Sequence, residues 1–442
     1  MNKIDRYHLK LAVLAFFVLL SFGIQAESAV SKDSIDLKSL LHEMIENNPN
    51  VLKASQSLAE ADEQIRIIRT ALNPRVGANA SYTRMGPTSK FDLSGIGEME
   101  ISPSDNYDVN VAYNQTLYDF GKTSKTIAVE DERKKLLNAS IEELRQDLSI
   151  QLINTYFQVV FLQNALKINE DEMSNLQEHL NTIQKKLEAG TATKYVLLST
   201  EVRISKLKSK RVDLQSMRNK ELAVMTNLVG RDFDPDVEFP AILPELEVTP
   251  ELDPALEQAY QNRNSLKIAK EQESLSELQL EVIKARLNPS ISAMATVGAK
   301  NGFEPDIDEI RSNFAVGVGV HIPIYSASEN KHQQLLEQAR LTEYRYATES
   351  EKRSVAEEVV KSVENLKAAD LKIEQEEMQV RQADEAYKLA QVSYDSGAIT
   401  NLDLLDANTN LQDSKLELLR TRIDYLLAGY EVKRASGENL YE

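Results

Sequence analysis

"YDVNVAYNQTLYDFGK" (Tyr107 to Lys122) changes its period part-way along. Through Leu117, apolar Tyr107, Val109, Val111, Tyr113 and Leu117 interleave with polar Asp108, Asn110, Asn114 and Thr116, the two-residue repeat of a strand with one greasy face. After Gly121 the alternation stops. From Lys122 to Ala189 there is neither proline nor glycine, and Leu137, Ile141, Leu144, Leu148 and later Leu176, Leu180, Ile183 and Leu187 recur at coiled-coil spacing. At about 1.5 Å per residue, such a helix spans roughly 100 Å. A strand that feeds a helix of this length decides the fold, because the junction occurs twice.

"TLYDFGK" (Thr116 to Lys122) is echoed by "PIYSASE" (Pro323 to Glu329), and Gly190 and Gly230 by Gly397 and Gly437, all 207 residues later. Upstream, "TALNPRVGANASYTR" (Thr70 to Arg84) resembles "ARLNPSISAMATVG" (Ala285 to Gly298), with Leu-Asn-Pro recurring after 215 residues. An internal repeat organises the chain. Residues 27–230 and 254–442 form the two copies, and 231–253 is a connector, since "RDFDPDVEFPAILPELEVTPELDP" (Arg231 to Pro254) carries five prolines and many acids.

Each copy changes period in the same order. Ser39 to Leu72 reads as helix, broken near Asn48-Pro49 and ended before Asn73-Pro74. Alternation follows at Val76, Ala78, Ala80 and Tyr82, and in the second copy at Ile291, Ala293, Ala295 and Val297, then at Phe314, Val316, Val318, Val320, Ile322 and Ile324. Four strands of about 9 to 11 residues result, the length that crosses a bilayer at a tilt. A soluble sandwich alternates too. Polar loops, Met85 to Asn106 and Ala299 to Asn313, join each pair. A second long helix runs from Glu329 to Ser396. Both long helices turn at a glycine, Gly190 or Gly397, and return as shorter helices that end at Gly230 or Gly437.

Lys3, Arg6 and Lys10, the apolar run Leu11 to Leu20 and the small-residue end at Ala26 have the pattern of a secretory signal over residues 1–26. That run is too short for a membrane-spanning helix, and no other stretch is apolar for long enough to give one. With 0 cysteines there is no disulfide, thiolate metal site, thiol nucleophile or lipid-acceptor cysteine. Removing residues 1–26 takes three bases and one acid from 51 Lys+Arg and 69 Asp+Glu, leaving a net charge of −20. That excess argues against nucleic acid as a partner.

Catalytic chemistry is not encoded. "HEMIE" at His42 begins like a zinc-protease motif, but Glu46 stands where the second histidine belongs. "GVGVH" (Gly317 to His321) places its glycines inside a strand, which no nucleotide loop does. No nucleophile, base and orienter assemble, and no metal or other cofactor is expected. Trp is also absent, so Tyr82, Tyr113, Tyr118, Phe120, Phe314 and Tyr325 would have to supply any aromatic girdle.

Four strands cannot close a barrel, and open edges cannot be left in hydrocarbon, where each unpaired backbone group costs several kcal/mol. Other chains must complete it. Two copies would give eight strands and a filled interior, whereas three give twelve and begin to leave a lumen. The expected fold is therefore mostly α with membrane β: a trimeric twelve-stranded barrel continued by a long helical coiled-coil barrel.

The order of "NNPNV", "LNPRV", "QTLYDFGK", "IPIY" and "DLLDANT" resembles the TolC family of outer-membrane efflux proteins over nearly the whole mature chain. The resemblance implies a homotrimeric exit duct in outer-membrane lipid, its helical barrel in the periplasm, serving an inner-membrane pump through a periplasmic adaptor. The hairpin tips, Gly190, Thr191, Gly397 and Ala398, would touch that adaptor. Two other readings are the duct of a one-step, type I protein secretion system and a soluble periplasmic coiled-coil adaptor or scaffold.

In "YDSGAITNLDLLDANT" (Tyr394 to Thr409), Asp403 and Asp406 stand three apart on one helix face. Thr400 with Asp403 would make a variant capping box, and acids suit a first helical turn. The first copy turns without them, having Val196 and Ser199 in their places. Threefold symmetry would gather the two acids into rings, and the resemblance makes those rings the pore constriction, favouring cations and raising one another's pKa. Relatives of this kind close the tip with a tyrosine before the glycine, an arginine after it and an aspartate on the neighbouring hairpin. Tyr394 fits the first position, but Ile399 and Val196 replace the other two, so closure is expected to rest more on coiled-coil packing.

Overall fold

The computed structural model describes residues 35–88, 90–93, 97–240, 243–244, 251–325 and 328–441, so the signal expected at 1–26 lies outside the described residues. Helices α1 (Leu37–Asn47) and α2 (Pro49–Arg69) meet at Asn48, whose side chain accepts from the Asn50 N–H while Pro49 opens the second helix. One 3-10 turn (Thr70–Leu72) follows, and Asn73, held extended ahead of Pro74, ends it. The chain then enters β1 (Arg75–Arg84), a small hairpin of β2 (Lys90–Leu93) and β3 (Gly97–Glu100), and β4 (Asp105–Tyr118). Helices α3 (Lys122–Glu188) and α4 (Lys194–Val229) complete the first copy.

The second copy repeats the order as α5 (Leu252–Asn262), α6 (Asn264–Ala285), β5 (Ser290–Lys300), β6 (Arg311–His321), α7 (Glu329–Asp395) and α8 (Asn401–Ser436). Both long helices have 67 residues and both returning helices 36.

The four main strands form one antiparallel sheet in the order β1-β4-β5-β6, so β4 and β5 join the two copies. Its register sorts the side chains by chemistry. Val111 sits opposite Ala78 on one side and Val297 on the other, and Val297 opposite Phe314, giving an apolar row across all four strands. In the next row Asn110 lies between Asn79 and Gly298. Phe314 and Val316 on the apolar face are 81% and 78% exposed, a contiguous surface that needs hydrocarbon or another protein against it. Among the described residues, the outer edges of β1 and β6 have no partner.

Three strand expectations are corrected. β4 has 14 residues rather than 9 to 11. The last strand stops at His321, leaving Ile322 and Ile324 beyond it, because Pro323 has no N–H to give a ladder. The loop expected over Met85 to Asn106 contains the β2–β3 hairpin.

The main core lies where both copies and the connector converge. Leu40, Met44, Leu152, Phe157 and Met225 pack there with Ile423 and Leu426, and Phe239 of the connector closes the cluster. Gln163 fixes that strap by donating to the Phe239 carbonyl and accepting from its N–H, both at 2.9 Å. Arg218 donates to the carbonyls of Pro235 and Val237. The helix breaks are tied down as well: Asn48 Nδ2 donates to the Leu228 carbonyl at 2.9 Å, and Arg263 Nη1 to the Arg434 carbonyl at 2.6 Å. Far from this core, the two helical hairpins run to a pair of tips.

Candidate functional site

Both tips are built by the same chemistry. Gly190 (φ 72°) and Gly397 (φ 77°) adopt left-handed backbone, letting the Thr191 N–H reach the Lys186 carbonyl and the Ala398 N–H the Ser393 carbonyl, each at 2.8 Å. A Cβ placed on either glycine would meet nothing within 4 Å, so the tips are bare.

The returning helices start differently. Thr400 and Asp403 form a full capping box: the Asp403 N–H donates to Thr400 Oγ1 at 3.3 Å, and Asp403 Oδ2 accepts from the Thr400 N–H at 2.8 Å and its hydroxyl at 2.6 Å. These bonds, the hydroxyl's first, hold the Asp403 carboxyl below its ordinary pKa. In the first copy Thr193 merely accepts from the Val196 N–H, at 3.4 Å.

Asp403 and Asp406 are exposed on one face and line an open groove with Ala383, Ala386 and Gln382 of α7. The face continues along α8 through Asn410, Asp413 and Glu417. The repeat offset matches these five positions to Val196, Ser199, Arg203, Lys206 and Lys210 of α4. At the inner three levels the first copy supplies a base; at Asp403 and Asp406 it does not.

Tyr394 stacks edge-on against His179 with ring centroids 5.3 Å apart, and Lys186 Nζ lies 4.8 Å from the tyrosine ring centre. Burial raises the pKa of the Tyr394 phenol. Ile399 and Val196 are half-buried and bring no charge to this corner.

Instead the structure assembles a polar node that the sequence reading missed. Asn401 Nδ2 donates to Thr200 Oγ1 at 3.2 Å, which leaves its Oδ1 to accept from His179 Nε2 at 2.7 Å. Asn401 is 7% exposed and Thr200 fully buried, so the node ties α3, α4 and α8 together beneath the tips. Two turns further in, Asn408 Nδ2 lies 3.4 Å from Glu172 Oε1, and burial pushes the Glu172 carboxyl upward. A signal was present: Glu172 and His179 fall within the apolar seam of Met173, Leu176, Leu180 and Ile183, where polar residues mark a specific partner.

Among the described residues no group of three His, Asp or Glu could hold a metal, and no helix is long and apolar enough to cross a membrane.

Comparison with known proteins accords with this arrangement. TolC of Salmonella enteritidis is 24% identical over 438 residues, spanning 95% of this chain and 85% of that one. The alkaline protease secretion protein AprF of Pseudomonas aeruginosa is 22% identical over 411 residues, 90% of this chain and 83% of its own. The solved Campylobacter jejuni CmeC outer membrane channel shares the fold, with a TM-score of 0.75 over 96% of this chain and 91% of that one at 16% identity. A family model described as outer membrane efflux protein matches twice, over residues 40–231 and 255–438, once on each structural copy. With helical hairpin, sheet and repeat all accounted for by that doubled match, the chain belongs to the outer membrane efflux protein family.

Proposed function

We propose that three copies of this chain close into one passive duct, receiving small molecules from an inner-membrane pump through a periplasmic adaptor that grips the bare tips at Gly190, Thr191, Gly397 and Ala398. The division of labour is residues 27–230 and 254–442 as the two wall units, with 231–253 as part of a belt around the middle and 1–26 as the export signal. Asp403 and Asp406 form its constriction. One observation carries this assignment: along the matched faces of α4 and α8, Asp413 and Glu417 have the bases Lys206 and Lys210 at their counterpart positions, whereas Asp403 and Asp406 have the uncharged Val196 and Ser199. Rings of that kind favour cations. Because Asp403 is partly engaged in its capping box, Asp406 contributes the more available charge.

The test is planar-bilayer conductance of the purified protein. Asp406→Ala is expected to reduce cation over anion preference and divalent block, and the double variant with Asp403→Ala to abolish both. Unchanged preference in the double variant would return the two acids to helix capping. Closure at the tip relies on helix packing and the His179 node rather than a tyrosine–arginine–aspartate tie. A Val196→Asp, Ile399→Arg variant that conducts and exports as wild type would show that such a tie is not limiting here.

A second reading has its own support in the likeness to AprF, whose description is alkaline protease secretion. The same duct would then serve protein export, and the inner-membrane partner recovered by cross-linking in cells separates the two. A soluble adaptor does not fit a four-stranded sheet with an exposed apolar face.

A further inference from the structure

Inward of the tip groove, a second, open-sided hollow lies between α7 and α8, with a volume of about 450 Å³. Glu417 belongs to both. At about 1.5 Å per residue, Thr421 on its wall stands roughly 27 Å along α8 from Asp403, so the hollow is separate from the constriction. Its lining is of two kinds. Ala368, Ala369, Leu427 and Ala428 are apolar, whereas Glu376, Glu417, Asp424 and Glu431 set four acids against Lys372, the one base among the described lining residues.

Two polar groups in this lining go without the partners that burial demands. Thr421 is 5% exposed, yet its hydroxyl makes no hydrogen bond among the described residues, whereas Thr409 and Ser414 on the same helix each donate to the carbonyl four or so residues back. Glu376 has one carboxylate oxygen, Oε2, closed off from solvent and also unpaired. A buried acceptor without a donor costs about 1–3 kcal/mol, and more when it is charged. The hollow is short of donors and of positive charge at once. The repeat shows that the fold does not require this. A shift of 207 residues puts Phe161 and Leu162 at Ala368 and Ala369, and Leu214, Met217 and Val224 at Thr421, Asp424 and Glu431. The first copy has apolar bulk where the second has small residues and acids.

We infer that this hollow binds an organic ammonium ion with an apolar body, its N–H groups donating to the Glu376 carboxylate and the Thr421 hydroxyl and its body resting on the alanines and Leu427. Charge-assisted bonds of that kind are the strong ones, and the volume suits a small ligand, whose pockets run from roughly 300 to 1,000 Å³. A bare metal ion fits worse, because no group of three His, Asp or Glu among the described residues could hold one. An anion would meet four acids and one base. The role in transport rests on the duct reading above, in which the face of Asp403 and Asp406 turns to the lumen and the hollow holds cationic cargo beyond the constriction. Binding itself does not rest on it.

The probe is 4-phenylbutylamine, titrated calorimetrically into the purified protein in a non-ionic detergent. Saturable binding at one site per chain is expected, with 4-phenylbutanoate at least about tenfold weaker. Ala368→Phe with Ala369→Leu, which gives the hollow the side chains of the first copy, should weaken the amine at least about tenfold, and Glu376→Gln, which removes a charge and keeps the shape, about fivefold or more. No saturable binding of the amine, or equal affinity for the amine and the acid, would overturn the site. Displacement of the amine by an equal concentration of magnesium chloride would do the same, leaving only an ion atmosphere of acids. Binding that survives Ala368→Phe/Ala369→Leu but is lost in Asp403→Ala/Asp406→Ala would move the ligand to the tip and overturn it too. Bilayer conductance keeps the two readings apart. A protein that conducts without binding the amine loses the hollow as a site and keeps the duct; one that binds the amine without conducting keeps the site and loses the duct.

Discussion

At the break between their first two helices the copies do the same task with different chemistry. In the first, neutral Asn48 caps α2 and reaches the Leu228 carbonyl at the end of α4. In the second, Arg263 reaches the Arg434 carbonyl near the end of α8 and also pairs with Glu358 at 2.7 Å. Arg434 in turn bonds Glu358 and Asp147, each at 2.9 Å. Asp147 belongs to α3, so the charged version also fastens the second copy to the first. The surrounding acids feel that crowding: burial raises the pKa of Glu143 and Glu431. The helix ends differ accordingly. A Cβ on Gly230 would lie 3.8 Å from Asn47, whereas one on Gly437 would lie 2.8 Å from the Arg263 nitrogen. Duplicated backbones thus tolerate divergent ties, but the tighter tie has lost its freedom to vary.

The largest expected break in that comparison is at the two glycines. Gly437→Ala should destabilise by about 1–2 kcal/mol for left-handed backbone and about 1–3 kcal/mol more for overpacking, while Gly230→Ala pays only the first. Denaturant unfolding followed by circular dichroism measures both, and equal losses would contradict the geometry.

Next comes the node beneath the tips, present inside the chain and absent from the matched positions. His179→Leu leaves a buried amide oxygen unpaired, which costs about 1–3 kcal/mol. Amide exchange in the first turns of α8 should then quicken by roughly tenfold or more. His179→Gln, which keeps an N–H donor, should restore most of the protection.

The caps predict a smaller difference. Thr400→Ala should cost about 1 kcal/mol and Thr193→Ala less, because only Thr400 takes part in a reciprocal box.

Smallest is the effect of Glu172, whose folded pKa is raised above the ordinary 4.5 by burial. A carboxyl raised in this way favours the fold while protonated and loses that advantage as pH rises from about 4.5 through the folded pKa. Glu172→Gln should therefore raise the thermal midpoint at pH 7.5 and leave it unchanged at pH 4. A gain of equal size at both values would point to packing instead of charge.

Much of the fold was legible because it rests on periods and breakers. Leu-Asn-Pro placed the helix-to-strand junctions, the alternation from Tyr107 to Leu117 placed a strand, and Gly190 and Gly397 placed the turns. At the candidate site, Thr400 with Asp403 could be read as a cap and was found as one. What escaped the sequence was pairing between distant positions. His179 and Asn401 are separated by 222 residues and Asn48 and Leu228 by 180, so no local pattern announces either bond. The β2–β3 hairpin escaped for a different reason: its four-residue strands are too short to show a period.

Equal helix lengths in the two copies have an evolutionary consequence. Inserting one residue into α3 would lift its tip by about 1.5 Å and turn everything beyond by about 100°, taking the Tyr394, His179 and Asn401 groups out of step with one another. An insertion of about seven residues, nearly two full turns and some 10 Å, restores the facing to within about 20°. To keep both tips level, it must be made in all four helices of the hairpins at once. The reach of such a duct can change only in steps, and each step requires coordinated change in both halves of the gene.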